Sequence, residues 1–152
     1  MDDPIPTVTT QKAQSANVLI TSTLRRAIHS VELLAPAGIV ETSELFREVD
    51  MPVPLAGARF VRLPQGLWLV LARLCWLCGY SKGVESYAEA VARAEKASLV
   101  LIEYAQAYGK VAVVGHGWFH RLVGKQLEKK GWTCTTKQSS AHWHACSYTF
   151  AR

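Results

Sequence analysis

The run Val18-Leu19-Ile20-Thr21-Ser22 is rich in β-formers and passes without a break into a segment of helical period. That join constrains the fold more than any other feature of the chain. A run so short and apolar suits a strand buried on both faces. It stops at Ser22 and Thr23, two good N-cap residues. Leu24, Ala27, Ile28, Val31 and Leu34 then recur at helical spacing until Pro36 and Gly38 end the helix. The same join returns late in the chain. Residues 110–114 read as a strand and Gly115-His116-Gly117 as a turn. Phe119, Leu122, Val123 and Leu127 then mark a helix that Gly131 ends.

Between the two joins the pattern supplies further elements. Residues 38–46 read as a second strand, and residues 47–64, with Pro52, Pro54, Gly57 and Pro64, as an irregular excursion. Residues 67–78 predict a helix apolar on nearly every face except at Arg73, which must be buried in the core or at a subunit contact. Over residues 85–108, Tyr87, Val91, Ala94, Ser98, Leu101, Ala105 and Tyr108 alternate steps of four and three, giving one inward stripe, with Glu89, Arg93, Lys96 and Glu103 off it. A short helix is expected over residues 9–16 and a last strand over residues 142–150. Strands alternating with long helices predict an α/β domain with a largely parallel sheet.

Composition narrows the function classes. Residues 1–152 suffice for one domain with a real core, and 49% apolar against 19% charged residues exclude a disordered chain. Seventeen basic against 12 acidic residues give a net charge of +5, scattered rather than gathered in an arm. That balance disfavours nucleic acid and suits a phosphorylated small molecule or an inorganic anion. Four cysteines without a signal peptide read as reduced thiols in a cytoplasmic protein. The greasiest segment falls short of the ~20 residues of a membrane span, so no membrane partner is expected.

Chemistry collects at the two strand-to-helix turns, where ligands gather in open α/β sheets and helix N-termini offer unpaired N–H groups. The first turn carries Arg25 and Arg26, and guanidinium groups bind phosphate bidentately. The alternative, a capping Ser22 and two solvated arginines, stays open on spacing alone. The second turn sets His116 between two glycines, where it can donate to a phosphoryl oxygen or exchange a proton. A plain turn histidine is equally compatible. Cys75-Trp76-Leu77-Cys78 has metal spacing, but without a second pair it reads as buried free thiols. His142, His144 and Cys146 share a strand face and read as a polar face rather than a metal site. His29 and His120 read as satisfied or solvated.

Taken in order, these elements are similar to one known family. Ser22-Thr23-Leu24-Arg25-Arg26-Ala27-Ile28-His29-Ser30 resembles the S-P-L-x-R-A-x-x-T segment of the histidine phosphatase superfamily, whose fold is phosphoglycerate-mutase-like. Val113 to Trp118 resembles its V-V-x-H-G-G turn, with Trp118 for the second glycine. Leu45-Phe46-Arg47-Glu48 resembles the segment supplying the proton donor, and Gly83-Val84-Glu85-Ser86 the G-E-S element. The resemblance implies a three-layer sandwich with a mostly parallel sheet, and phosphomonoester hydrolysis without cofactor or metal. It implies that Arg26, with Ser22 and Gly117, holds the substrate phosphate. His116 contacts the transferring phosphoryl group, and Glu48 is the general acid.

The chain departs from the family at one point of consequence. The family's nucleophile is a histidine in an R-H-G motif closing the first strand, ahead of the S-P-L-x-R-A segment. The 21 residues before Ser22 contain no histidine. A domain lacking its first strand is therefore expected: a phosphatase by resemblance that is inactive as it stands, an anion-binding or assembly module, or a fragment of a longer phosphatase. The absent strand lies beside residues 111–114 in the family. The gap would be closed by the C-terminal strand, by residues 1–10 or by a second chain, and a homo-oligomer is expected, with the helix carrying Trp68 and Trp76 as a further contact.

Overall fold

The computed structural model describes residues 4–52, 64–136 and 143–150. Its elements are, in order, α1 (Thr7–Gln14), β1 (Val18–Thr21), α2 (Arg25–Leu34), β2 (Ile39–Thr42), a 3-10 turn (Glu44–Phe46), α3 (Gln65–Leu77), α4 (Tyr87–Tyr108), β3 (Val111–Val114), α5 (Gly117–Lys129), β4 (Trp132–Cys134) and β5 (Tyr148–Phe150). The chain divides into two compact units, one of residues 1–48 with 93–152 and one of residues 49–92.

In the first unit β1 is the middle strand of a three-stranded sheet of order β2-β1-β3, parallel throughout. All four of its residues are buried. Leu19 packs with Ala13, Val31 and Leu34 from α1 and α2, and Ala112, Val114 and Trp143 join that cluster. Val18 and Ile20 point the other way and are buried as well, so β1 is covered on both faces. Continuous apolar strands of this kind belong to parallel sheets with both faces covered. The α/β reading with a mostly parallel sheet is therefore the fold observed.

Local details correct the sequence reading. The first long helix ends at Ala35, in the left-handed region at φ 44°, and not at Pro36 or Gly38. Gly38 has a different task. The carbonyls of Ala16 and Asn17 press against its Cα so closely that no side chain fits, and this approach lets Ile39 N–H donate to Asn17 O at 3.0 Å, starting β2. The predicted strand over residues 38–46 is a four-residue strand followed by the 3-10 turn, whose Ser43 hydroxyl accepts from Leu45 N–H. On α4 the buried residues are Ala90, Ala94, Ala97 and Ser98; Ala94 and Ser98 lie on the predicted stripe, while Ala90 and Ala97 stand one position ahead of its Val91 and Ser98.

The predicted last strand contracts to β5, which pairs antiparallel with β4, an element too short to be seen in the sequence. His142 lies outside the described residues. Among the described residues β3 pairs with β1 alone. The C-terminal strand is taken by β4, and Thr7–Thr10 is helix, so neither closes the edge of β3.

In the second unit α3 buries Ala72 and Trp76. The Trp76 indole N–H donates to Glu85 O at 2.7 Å, its ring meets Tyr87 edge-on at 5.2 Å, and the Arg73 guanidinium lies over it. Within the single chain this helix is not covered on every face: Leu67, Leu69, Val70, Leu74 and Leu77 are each between 44% and 57% exposed. Cys75 is half-buried and Cys78 exposed, so the pair consists of free thiols that are not both buried. Ser86 and Glu89 form a reciprocal cap where α4 begins, the Glu89 carboxylate accepting from both the backbone and the hydroxyl of Ser86. Those two bonds hold the Glu89 carboxyl below its ordinary pKa. Among the described residues no helix is long and apolar enough to cross a membrane.

Candidate functional site

β1 and β3 run parallel, side by side, so their carboxyl ends deliver the two predicted turns to one place in the first unit. Ser22 continues the ladder by donating its N–H to Val114 O, and its hydroxyl accepts from Leu24 N–H just ahead of α2. Arg26 lies in the opening turn of α2 and His116 is the residue at which α5 begins. Arg26 Nε donates to His116 Nδ1 at 3.2 Å, and His116 Nε2 is 3.1 Å from Ser22 Oγ. Three predicted site residues thus form one chain of contacts from two distant parts of the sequence.

That chain fixes the histidine's proton. Because Arg26 donates to Nδ1, that nitrogen carries no hydrogen, and the neutral ring holds its proton on Nε2, where Ser22 Oγ accepts it. Burial lowers the His116 pKa, and the Arg26 guanidinium lowers it further against a smaller opposing pull from Glu48. His116 is therefore a neutral donor near pH 7, with its N–H aimed into the turn.

Glu48 reaches the opening turn of α5. Its Oε1 accepts from Phe119 N–H at 3.2 Å, the third amide of α5, so a carboxylate already occupies the positive end of that helix. Gly117 faces open space, with nothing within 4 Å of where a side chain would begin. Arg26 is exposed, and its two Nη groups meet no protein partner among the described residues. An unengaged guanidinium fork and a neutral N–H donor thus lie together, and the helix beginning at His116 already holds the Glu48 carboxylate in its opening turn. Arg25 and His29 are exposed and make no contact with this cluster.

Three residues of the site escape a reading of the sequence. Arg93, which helical spacing places off the inward stripe of α4, donates from Nη1 to Leu45 O at 3.0 Å and Arg47 O at 2.8 Å, and its guanidinium lies 3.9 Å from the centre of the Phe119 ring. It clamps the segment that carries Glu48. Phe119 is fully buried and meets Phe46 edge-on at 6.5 Å. His120 is neither satisfied nor solvated, as its sequence position suggests. Its Nε2 is sealed from water without a hydrogen-bond partner among the described residues. It lies 2.9 Å from where a Gly115 side chain would begin. Burial, assisted by His116, pushes its pKa down from 6.5 to about 4. No spacing rule announces these contacts, because each joins segments far apart in the chain. His144 and Cys146 are exposed, and no cluster able to hold a metal occurs among the described residues.

Ser22, Arg26 and His116 thus meet at the carboxyl edge of a parallel sheet. The family model of the histidine phosphatase superfamily (branch 1) matches residues 9–150, and the chain belongs to that superfamily. No curated protein matches the sequence. Solved structures share the fold. A mycobacterial glucosyl-3-phosphoglycerate phosphatase in complex with VO3 aligns at 20% identity and a TM-score of 0.57, covering 80% of this chain and 62% of its own. An open reading frame product of Mycobacterium tuberculosis aligns at 20% identity and 0.51, covering 76% and 61%. A mycobacterial hydrolase aligns at 16% identity and 0.57, covering 95% and 78%. The chain thus spans about three fifths of the length of the first two.

Proposed function

We propose that residues 1–152 act as one histidine-phosphatase-like domain that binds the phosphoryl group of a phosphomonoester, in a cytoplasmic setting. The observation that carries this reading is the Arg26–His116–Ser22 contact chain, with the Arg26 fork unengaged and Gly117 facing open space. Arg26 grips two phosphoryl oxygens. His116 Nε2–H turns from Ser22 to a third. The Ser22 hydroxyl and the first amides of α5 complete the cradle. Glu48, held by Phe119 N–H in the opening turn of α5, is the proposed general acid.

Turnover is a separate matter. No second histidine presents a nucleophilic nitrogen to this cradle among the described residues, since the His120 Nε2 is sealed against Gly115. Without a nucleophile the displacement loses its covalent intermediate, and binding outlasts catalysis. We propose an anion-binding protein with little or no hydrolysis. Hydrolysis by this chain is the second reading, and the placement of Glu48 favours it. The domain is proposed to work as a homo-oligomer, on the exposed apolar stripe of α3.

Calorimetric titration with inorganic phosphate tests the site. Arg26→Ala should weaken binding roughly tenfold or more, the worth of a charge-assisted bidentate contact, while Arg25→Ala changes it little. Equal effects of the two substitutions, or no binding by the parent, remove the assignment. On an aryl phosphate the parent should show negligible turnover. Robust hydrolysis that His116→Ala abolishes would instead establish the second reading.

A further inference from the structure

Cys134 closes β4, and Cys146 stands just ahead of β5. The two strands are antiparallel, with Cys134 opposite Tyr148. Side chains two apart on an extended chain share a face, so Cys146 lies on the face of Tyr148 and therefore of Cys134. The hairpin is pinned between the two cysteines. Thr135 N–H donates to Ser147 O at 2.8 Å, and the Thr135 hydroxyl donates to the same oxygen at 3.2 Å. Ser147 N–H donates to the Thr136 hydroxyl at 2.9 Å, a side-chain partner where a regular ladder supplies a carbonyl. Diagonal neighbours in a regular ladder stand about 7–8 Å apart, too far for a covalent bond. Here the ladder ends at Cys134, and the two thiol groups are in hydrogen-bonding contact. Both are free thiols, Cys134 half-buried and Cys146 exposed.

We propose that Cys134 and Cys146 form a reversible thiol–disulfide switch that fastens the end of the chain onto the first unit. The segment carrying Cys146 already rests on α1. Thr9 Oγ1 donates to Trp143 O at 2.7 Å, Lys12 Nζ donates to Ala145 O at 3.3 Å, and Trp143 packs against the cluster around Leu19. A bond to Cys134 ties that segment to the strand that follows α5. The oxidant is a small disulfide of the glutathione class. The exposed Cys146 thiolate attacks one of its sulfurs, the S–S bond breaks, and one small thiol leaves. The Cys134 thiolate then attacks the Cys146 sulfur of the mixed disulfide and expels the second. The two protein thiols give up two electrons and two protons, and the small disulfide becomes two thiols. In the reduced chain, burial and the neighbouring Cys134 raise the Cys146 pKa, against weaker pulls from the Thr136 hydroxyl and the Lys12 ammonium. Cys146 therefore keeps its proton at neutral pH, and exchange quickens as alkalinity supplies thiolate. The switch does not rest on phosphate binding.

The test treats the folded full chain with oxidised glutathione at pH 8 and quenches it by alkylation. The parent should lose the thiols of Cys134 and Cys146 and keep those of Cys75 and Cys78. Trypsin should then release residues 131–137 and 138–152 joined by a disulfide, since cleavage after Lys137 separates the two cysteines. Closing residues 134–146 into a loop restricts the unfolded chain, so the oxidised form should unfold about 5–10 °C higher, and dithiothreitol should reverse the shift. Cys75→Ser with Cys78→Ser should leave both the cross-link and the shift in place. Cys134→Ser should stop at a stable mixed disulfide on Cys146, with neither cross-link nor shift. A glutathione adduct on Cys146 of the parent that never resolves overturns the switch, as does a cross-link that forms only in urea. A cross-linked parent whose unfolding midpoint does not move overturns the fastening.

Discussion

Phe119→Ala should cost the first unit about 3–5 kcal/mol of stability, the usual range for emptying a buried aromatic site. The ring is inaccessible to solvent, meets Phe46 edge-on, and lies beneath the Arg93 guanidinium. Removing it opens a cavity and takes away the face over which that cation rests, worth about 1 kcal/mol more. The backbone N–H that holds Glu48 survives the substitution, so the carboxylate keeps its donor while losing the packing that fixes it. Urea unfolding gives the stability, and phosphate titration of the folded fraction reads the site. A loss under about 1 kcal/mol would mean that the ring is not the keystone between α4, α5 and the 3-10 turn.

The chain should also lose stability steeply on mild acidification. His120 binds its proton at about pH 4 in the fold and near 6.5 in the unfolded chain. Between those values the unfolded state holds more protons than the native state, so stability rises with pH through this window and is fully present above it. Acidification from pH 7 towards 4 therefore removes about 3 kcal/mol through this one ring. His116, lowered in the same sense, adds to the loss. His120→Leu abolishes the titration and replaces an orphaned nitrogen by hydrocarbon, so urea midpoints at pH 7 and 4.5 should converge in the variant. An unchanged gap between the two midpoints would show that some other group carries the acid sensitivity.

Much of the site is legible in the amino-acid sequence, and for a specific reason. Ser22 and His116 each stand at a join from strand to helix, with Arg26 in the first helix's opening turn, and such joins are written locally in a short apolar run, a capping hydroxyl or glycine, and a helical period. Once both runs are parallel strands of one sheet, their carboxyl ends must lie at the same edge, so the meeting of Arg26 with His116 follows from sequence order plus the rule for ligand sites in such sheets. Resemblance to the superfamily adds Glu48, which no local pattern marks.

Other features depend on distance in space. Arg93 looks like any solvent-facing residue of an amphipathic helix, since helical spacing says which residues share a face and not which loop that face meets. His120 follows His116 by one helical turn, and only the approach of Gly115 seals its nitrogen from water. Gly38 reads as a helix stop until the carbonyls of Ala16 and Asn17 are found against it. The apolar run of α3 is plain in the sequence, whereas which residues of that run are covered depends on packing. Local propensity and period determined the elements, their order and the two reactive turns. Contacts between segments far apart in the chain decided the proton on His116, the clamp on Glu48 and which residues of α3 stay exposed, because burial and partner geometry exist only after those segments have met.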